Sequence, residues 1–489
     1  MKNIIIKSII IIFVLSVSSC NKDYLDTTPT ESVSESSVFA TVKDARAAIN
    51  GIHRFMFYRL DAQDEAGFGA MMINYDMMGE DLVMTSSGNG WFNSVYKWIE
   101  SRSETSSLVD FTYEFYYKII SNSNMIINNI DNATGDESEK NSIKGQALAY
   151  RAWAHFMLVQ SFGQRYDASG SNSGLGVPIL IDNTVEGQPR STVEQVYTQV
   201  IADLNASRDL LSTADERLNI SHINIDVVKG LIARVALTMQ NYSLAAQMSS
   251  EARAGYSLMD EEEYYSGFNN IDNPEWIWGG IQISDHNTFF ASFFAYMSYN
   301  FSSTNIRSNP KAINSLLYDE ISDTDYRKGL WDPEGIGFDQ STSFTTKPYM
   351  NRKFMAAGGS SSIGDLMYMR ASEMILIEAE SKARMGDDAG AAEALFELAS
   401  ARDTAYLLSS NTGQALLDEI SIQRRVELWG EGFRFFDLKR NNEALDRNGA
   451  NHDNTLVAGK FDVAAGDREW QWLFPRRELN ANDKIEQNP

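Results

Sequence analysis

Apolar positions recur three and four residues apart over most of the chain, the spacing of one face of an α-helix. The pattern begins around Thr41. It is strong from Thr112 to Ile130, through Tyr113, Tyr116, Ile119, Ile120, Ile126, Ile127 and Ile130, and resumes from Ser142 to Ser161. Two such runs with a short polar break between them predict a helical hairpin. Ser191 and Glu194 have the spacing of a capping box, so a helix is predicted to start there with Val193, Val196, Val200, Ile201, Leu204 and Leu211 on its buried stripe. Two later segments resemble each other. Gly230 to Ser250 carries Ala233, Met239, Asn241, Ala245 and Ala246, and Ser372 to Leu398 carries Ala379, Met385, Asp387, Ala391 and Ala392. Each reads as helix, polar turn, helix, with small residues where paired helices approach, as in tetratricopeptide-like hairpins. The copies are far apart rather than in tandem, which predicts a superhelix interrupted by insertions.

The interval from about 255 to 364 is the obvious insertion. It shows no long amphipathic run and is rich in Gly, Asn, Ser and aromatics, among them Trp276, Trp278, Phe293, Tyr296, Tyr299, Phe301 and Trp331. Long irregular segments of this kind usually carry function. Only nine prolines in 489 residues is consistent with long helices elsewhere, since a proline inside a helix costs about 3 kcal/mol.

The N-terminus follows a different pattern. Lys2 precedes and Lys7 interrupts an apolar run, Ile4 to Leu15, which is followed by Val17, Ser18, Ser19 and Cys20. A charged region, an apolar core and small residues before a cysteine look like a lipoprotein signal. The alternative, a spanning helix, needs about 20 apolar residues and this run is shorter. Cys20 is the single cysteine, so an intramolecular disulfide and a cysteine-based metal site are both excluded. The expected organisation is therefore a signal peptide at 1–19, a lipidated flexible tether at 20–40 and one helical domain at 41–489. Several acyl chains on one cysteine would make anchoring effectively permanent.

Charge narrows the partners. Forty-two Lys+Arg against 66 Asp+Glu give a net charge of -24, which repels nucleic-acid phosphates. Catalytic motifs are absent: there is no H-E-x-x-H, G-x-S-x-G, P-loop or G-x-G-x-x-G after a strand. The histidines (His53, His155, His222, His286 and His452) lack ligand spacing. No catalytic residue, metal site or cofactor is expected. Glycosidases need only two carboxylates, and Glu80-Asp81 is the most suggestive couple, but an acidic loop explains it as well.

Five stretches together resemble the SusD/RagB nutrient-binding lipoproteins. They are the lipoprotein-like start; GQALAYRAWAHFMLVQSFG, Gly145 to Gly163, followed by Gly176 to Pro178; Met367 to Glu380; RRVELWGEGFRFFDLKR, Arg424 to Arg440; and the ending Phe474 to Leu479 with Gln487 to Pro489. The fourth is the most specific. The resemblance implies a mainly α fold, a tetratricopeptide-like helical-hairpin superhelix whose long irregular loops build a binding face. It also implies a lipid-anchored outer-membrane protein that captures an oligosaccharide or polysaccharide and docks as a lid on a SusC-like TonB-dependent transporter. Peptide or another polymer as cargo, or a scaffold without small ligand, remain open. Within the fourth stretch, Glu427 and Glu431 are four apart on one face, and Glu431 with Arg434, Arg434 with Asp437, and Asp437 with Arg440 are three apart, spacings that predict a ladder of ion pairs rather than catalysis.

Sugar binding needs flat aromatic faces for the apolar side of a pyranose and amides or carboxylates for its hydroxyls. Two stretches meet that need: the Gly/Ser/Asn loop from Glu80 to Trp98, whose position matches a loop of the family's aromatic platform, and the insertion around Tyr296 to Phe301 with Trp331. Trp91, Tyr299 and Trp331 are the expected stacking residues, and Asp81, Asn89 and Asn93 the expected hydrogen-bonding ones.

Overall fold

The structure, a computed structural model, describes residues 39–286, 288–338, 344–358 and 361–489. The signal-like run, Cys20 and nearly all of the expected tether lie outside the described residues.

Helix α1 (Val42–Phe55) starts where the apolar spacing starts, capped by the Thr41 side chain, which accepts from Asp44 N. Helix α2 (Gly67–Met77) is buried on every side, in keeping with its mostly apolar sequence, and its buried Asp76 accepts from Gly432 N at 2.9 Å. The first predicted hairpin is α3 (Ser107–Asn129) and α4 (Glu137–Phe162). Helix α5 (Val193–Leu211) is capped one residue later than expected, by Thr192 and Gln195. The cause is local: Ser191 is still in an extended pairing, its N–H donating to Val177 O and its carbonyl accepting from Gly176 N. The two similar segments form α6 (Ile225–Thr238) with α7 (Tyr242–Ala252), and α8 (Ala371–Arg384) with α9 (Asp388–Arg402). Asn241 and Asp387 occupy equivalent turns, and each side chain caps the second helix of its hairpin. Helices α3 to α9 pack as successive neighbours, and α7 lies directly against α8. The insertion therefore leaves and rejoins a continuous superhelix at one point.

The insertion is less irregular than its sequence suggests. Its strand Lys311–Ile313 pairs antiparallel with Leu82–Met84 from the N-terminal part, and Met350–Asn351 and Trp331–Asp332 complete a four-stranded sheet. A second antiparallel pair, Trp276–Gly280 with Leu366–Arg370, closes the base of the insertion.

The predicted ladder in Arg424 to Arg440 requires an unbroken helix, and there is none. Helix α10 (Gln414–Glu427) and α11 (Arg434–Asn441) are separated by a turn with Gly430 and Gly432 at φ +80 and +86. Of the expected pairs only Asp437 with Arg440 forms, at 2.9 Å. Arg424 also pairs with Asp437, across the turn, at 2.7 Å, and most of the remaining charges reach across the fold. Glu427 meets Arg327, Arg370 and Arg402; Glu431 meets Lys353 and Arg370; Arg370 and Arg402 also meet Glu275; and Arg327 meets Asp325. Four carboxylates are thus balanced by four cations in the core. Burial alone would raise the Glu427 pKa, but Arg402, Arg370 and Arg327 hold it well below the usual carboxylate range.

Candidate functional site

The strand Leu82–Met84 runs directly into the loop Thr85 to Asn93. Because that strand is paired to the insertion, the loop is laid against it. Thr85 N and Ser86 N both donate to Asn309 Oδ1 at 3.2 Å, and the Thr85 hydroxyl donates to Pro310 O at 2.7 Å. At the tip Asn89 Nδ2 donates to Asn305 Oδ1 at 3.2 Å, and the Phe92 ring meets Tyr296 edge-on at 5.0 Å. Gly90, at φ +93, allows the reversal that presents Trp91. Trp91 is half-buried, packed against the core on one side. Asn93 Nδ2 closes the loop on Ser87 O at 3.1 Å, and its Oδ1 is buried without a partner. Two of the sequence-predicted elements, the Gly/Ser/Asn loop and the Tyr296 region, are thereby brought into one surface.

Tyr299 is fixed by its backbone. Its N–H donates to Phe354 O at 3.0 Å, and Asn300 next to it exchanges two hydrogen bonds with Ala356, at 2.9 and 2.8 Å. Its ring is 6.1 Å from that of Phe338 and 5.9 Å from the Arg352 guanidinium carbon. Phe338, Arg352 and Asn305 carry no local sequence signal that marks them as site residues.

Two predicted residues do not belong to this face. Trp331 is 2 % exposed and lies edge-on against Trp429 at 5.7 Å, because pairing of Trp331–Asp332 with Met350–Asn351 turns its ring inward. A ring so enclosed cannot stack on a sugar. Asp81 is 5 % exposed and is held by Arg425, with Nη2 to Oδ1 at 2.6 Å, so its oxygens are committed to a protein cation. Glu80 is likewise tied to Arg434, at 2.8 Å from Nε. Burial would raise the Glu80 pKa, but Arg434 and Arg425 outweigh it and hold the group below its ordinary value.

Among the described residues no group of three metal-ligating side chains converges. His53 and His222, far apart in sequence, do meet, with ring centroids 4.5 Å apart, and burial pushes both pKa values down, to about 3 and about 4. A separate polar cleft of about 380 Å³ lies between Gln164–Gly174 and Gly466–Gln471. Its one aromatic, Trp470, is buried, and its Lys439 donates to three backbone carbonyls, so it presents no stacking face. No helix of the described residues is long and apolar enough to cross a membrane.

Comparison with known proteins agrees with this architecture. A family model described as starch-binding and associating with the outer membrane matches residues 23–237, and one described as the SusD family matches residues 239–489. SusD-like protein P2 of Formosa agariphila is 23% identical, over 98% of each chain. Among solved structures, a SusD-like carbohydrate-binding protein from Bacteroides vulgatus is 27% identical with a TM-score of 0.81, over 91% of this chain and 98% of that one. A laminarin-binding SusD-like protein, 18% identical, shares the fold with a TM-score of 0.71, over 92% of this chain and all of its own. The helical-hairpin superhelix, the loop-built face and these matches together place the chain in the SusD family.

Proposed function

We propose that this protein is a lipid-anchored glycan-binding protein of the outer membrane that captures an oligosaccharide or polysaccharide and delivers it to a SusC-like TonB-dependent transporter. The observation that carries the reading is the lacing of the Thr85 to Asn93 loop onto the insertion. It sets a half-buried indole beside the Asn89 amide, the combination a pyranose needs. Trp91 and Tyr299 supply stacking, and Asn89 and Asn93 hydrogen bonds. Capture rather than cleavage is supported by the carboxylates next to this loop: Glu80 and Asp81 are locked to Arg434 and Arg425, so neither is available as an acid or base. Names among the relatives, carbohydrate-binding and laminarin-binding, support the cargo class. Cys20 is the lipidated residue in this reading. A transporter partner is required because a surface binding protein has no pore of its own.

The test is a retardation gel of the protein lacking residues 1–19 against a panel of polysaccharides, with Trp91→Ala in parallel lanes. Slowed migration on one polymer that the variant loses supports capture at this face. No retardation on any polymer rejects it. Copurification with a barrel protein under mild detergent tests the partner, and consistent isolation alone counts against it.

A further inference from the structure

Of the seven cations in the insertion, three meet carboxylates, Arg327 with Asp325, Lys328 with Asp323 and Lys353 with Glu431. The other four, Arg307, Lys311, Lys347 and Arg352, form no ion pair among the described residues, and Lys311 donates to the Asn309 carbonyl instead. Arg352 and Arg307 are distinguished by an Nε–H that is buried without an acceptor. Arg352 is also held in place. Its N–H donates to Leu330 O at 2.8 Å, and its guanidinium carbon lies 5.2 Å from the Tyr265 ring, 5.5 Å from Phe338 and 5.9 Å from Tyr299. Three aromatic faces attract the cation and limit its movement without using its N–H groups. Arg307 is anchored through its backbone carbonyl, which accepts from Thr345 N at 2.8 Å.

A planar guanidinium with free donors, fixed beside a stacking ring, suits a carboxylate or a sulfate, each of which can accept two parallel N–H bonds. A neutral hydroxyl would leave the charge unbalanced. The surrounding protein is itself strongly acidic, so an anionic polymer gains nothing from the long-range field, and local pairing must supply the attraction.

We infer that the captured glycan is anionic, carrying a carboxylate or sulfate ester, and that Arg352, caged by Tyr265, Tyr299 and Phe338, reads that group. The inference rests on the loop face being the glycan site. Its test uses charge-matched probes in the same gel: polygalacturonate and its carboxyl-reduced form, and a sulfated galactan and its desulfated form, against the wild type, Arg352→Gln and Trp91→Ala. One charged polymer is expected to slow the wild type, with affinity falling about tenfold or more when its charge is removed. Arg352→Gln should lose the same factor on the charged polymer and behave as wild type on the neutral form. Which of the two polymers binds separates carboxylate from sulfate. Equal retardation by a charged polymer and its neutral form overturns the inference and leaves glycan capture standing. So does a charge preference that Arg352→Gln retains. Absence of retardation by these four and by the wider panel overturns both. The ligand-side comparison does not depend on how well the variant folds.

Discussion

Asp81 and Arg425 lie 344 positions apart and meet in a two-point ion pair, Arg425 Nη2 donating to Asp81 Oδ1 at 2.6 Å and Nε to the same oxygen at 3.0 Å. Asp81 also fastens its neighbours, its carbonyl accepting from Trp429 Nε1 and Asn314 N, each at 2.9 Å. The pair therefore joins the start of the candidate loop to the Arg424–Arg440 segment. Removing one partner of a fully buried pair costs roughly 3–5 kcal/mol. Arg425 retains 23% side-chain exposure, so the expected loss for Asp81→Asn is smaller, about 2 kcal/mol. Urea unfolding measures it. Glycan retention per folded molecule should stay near wild type, and a selective loss of binding at full stability would return Asp81 to the site.

Trp331 and Trp91 make the opposite contrast. Trp331→Ala empties a site between Trp429 and the sheet and should cost about 3–5 kcal/mol in thermal or denaturant unfolding. Trp91→Ala removes a ring buried on one side only and should cost less, about 1–2 kcal/mol, while abolishing retardation. Equal stability losses in the two variants would mean that Trp91 is a packing residue.

The turn between α10 and α11 depends on glycine for space as well as for φ. A Cβ at Gly432 would stand 2.8 Å from the Met72 Cα, a backbone atom that cannot swing aside. Gly459, at φ +78, faces open space. Gly459→Ala should therefore cost about 1–2 kcal/mol, the left-handed penalty alone, and Gly432→Ala at least about 3 kcal/mol. Matching melting temperatures for the two would contradict the close approach of α2.

Much of the helical scaffold was legible because helical periodicity is a local property, visible in Tyr113 to Ile130 as it stands. The fate of each charge was not. Spacing of three or four along Arg424 to Arg440 predicts pairs only if the helix continues, and Gly430 and Gly432 stop it, freeing Glu427 for Arg327, Arg370 and Arg402. The candidate site divides in the same way. The Gly, Ser and Asn residues around Trp91 mark an exposed loop, and that much is local. Whether Trp331 or Asp81 is accessible depends on a sheet assembled from four remote segments. Arg352 stands out by its cage of aromatic rings and its lack of a carboxylate, both visible only in three dimensions.

His155 makes the pH dependence of stability specific. It is fully buried, its Nδ1–H donating to Arg151 O at 3.0 Å and its Nε2 accepting from Leu180 N at 3.3 Å. Both nitrogens are satisfied only in the neutral ring, since a proton on Nε2 would face the Leu180 N–H. Burial, and then the Arg151 charge, push its pKa down to about 3. In the unfolded chain it titrates near the ordinary value of about 6.5, so below that pH the unfolded state binds a proton that the folded state refuses. This contribution is complete above about pH 6.5 and is lost progressively as pH falls toward 3. Between pH 7 and 5, His155→Gln should lose about 1–2 kcal/mol less stability than wild type, whatever the substitution costs at pH 7. Urea midpoints at pH 7, 6 and 5 give the comparison. Parallel losses in the two proteins would mean that the folded ring accepts the proton at pH 5, against the hydrogen bonding on both of its nitrogens.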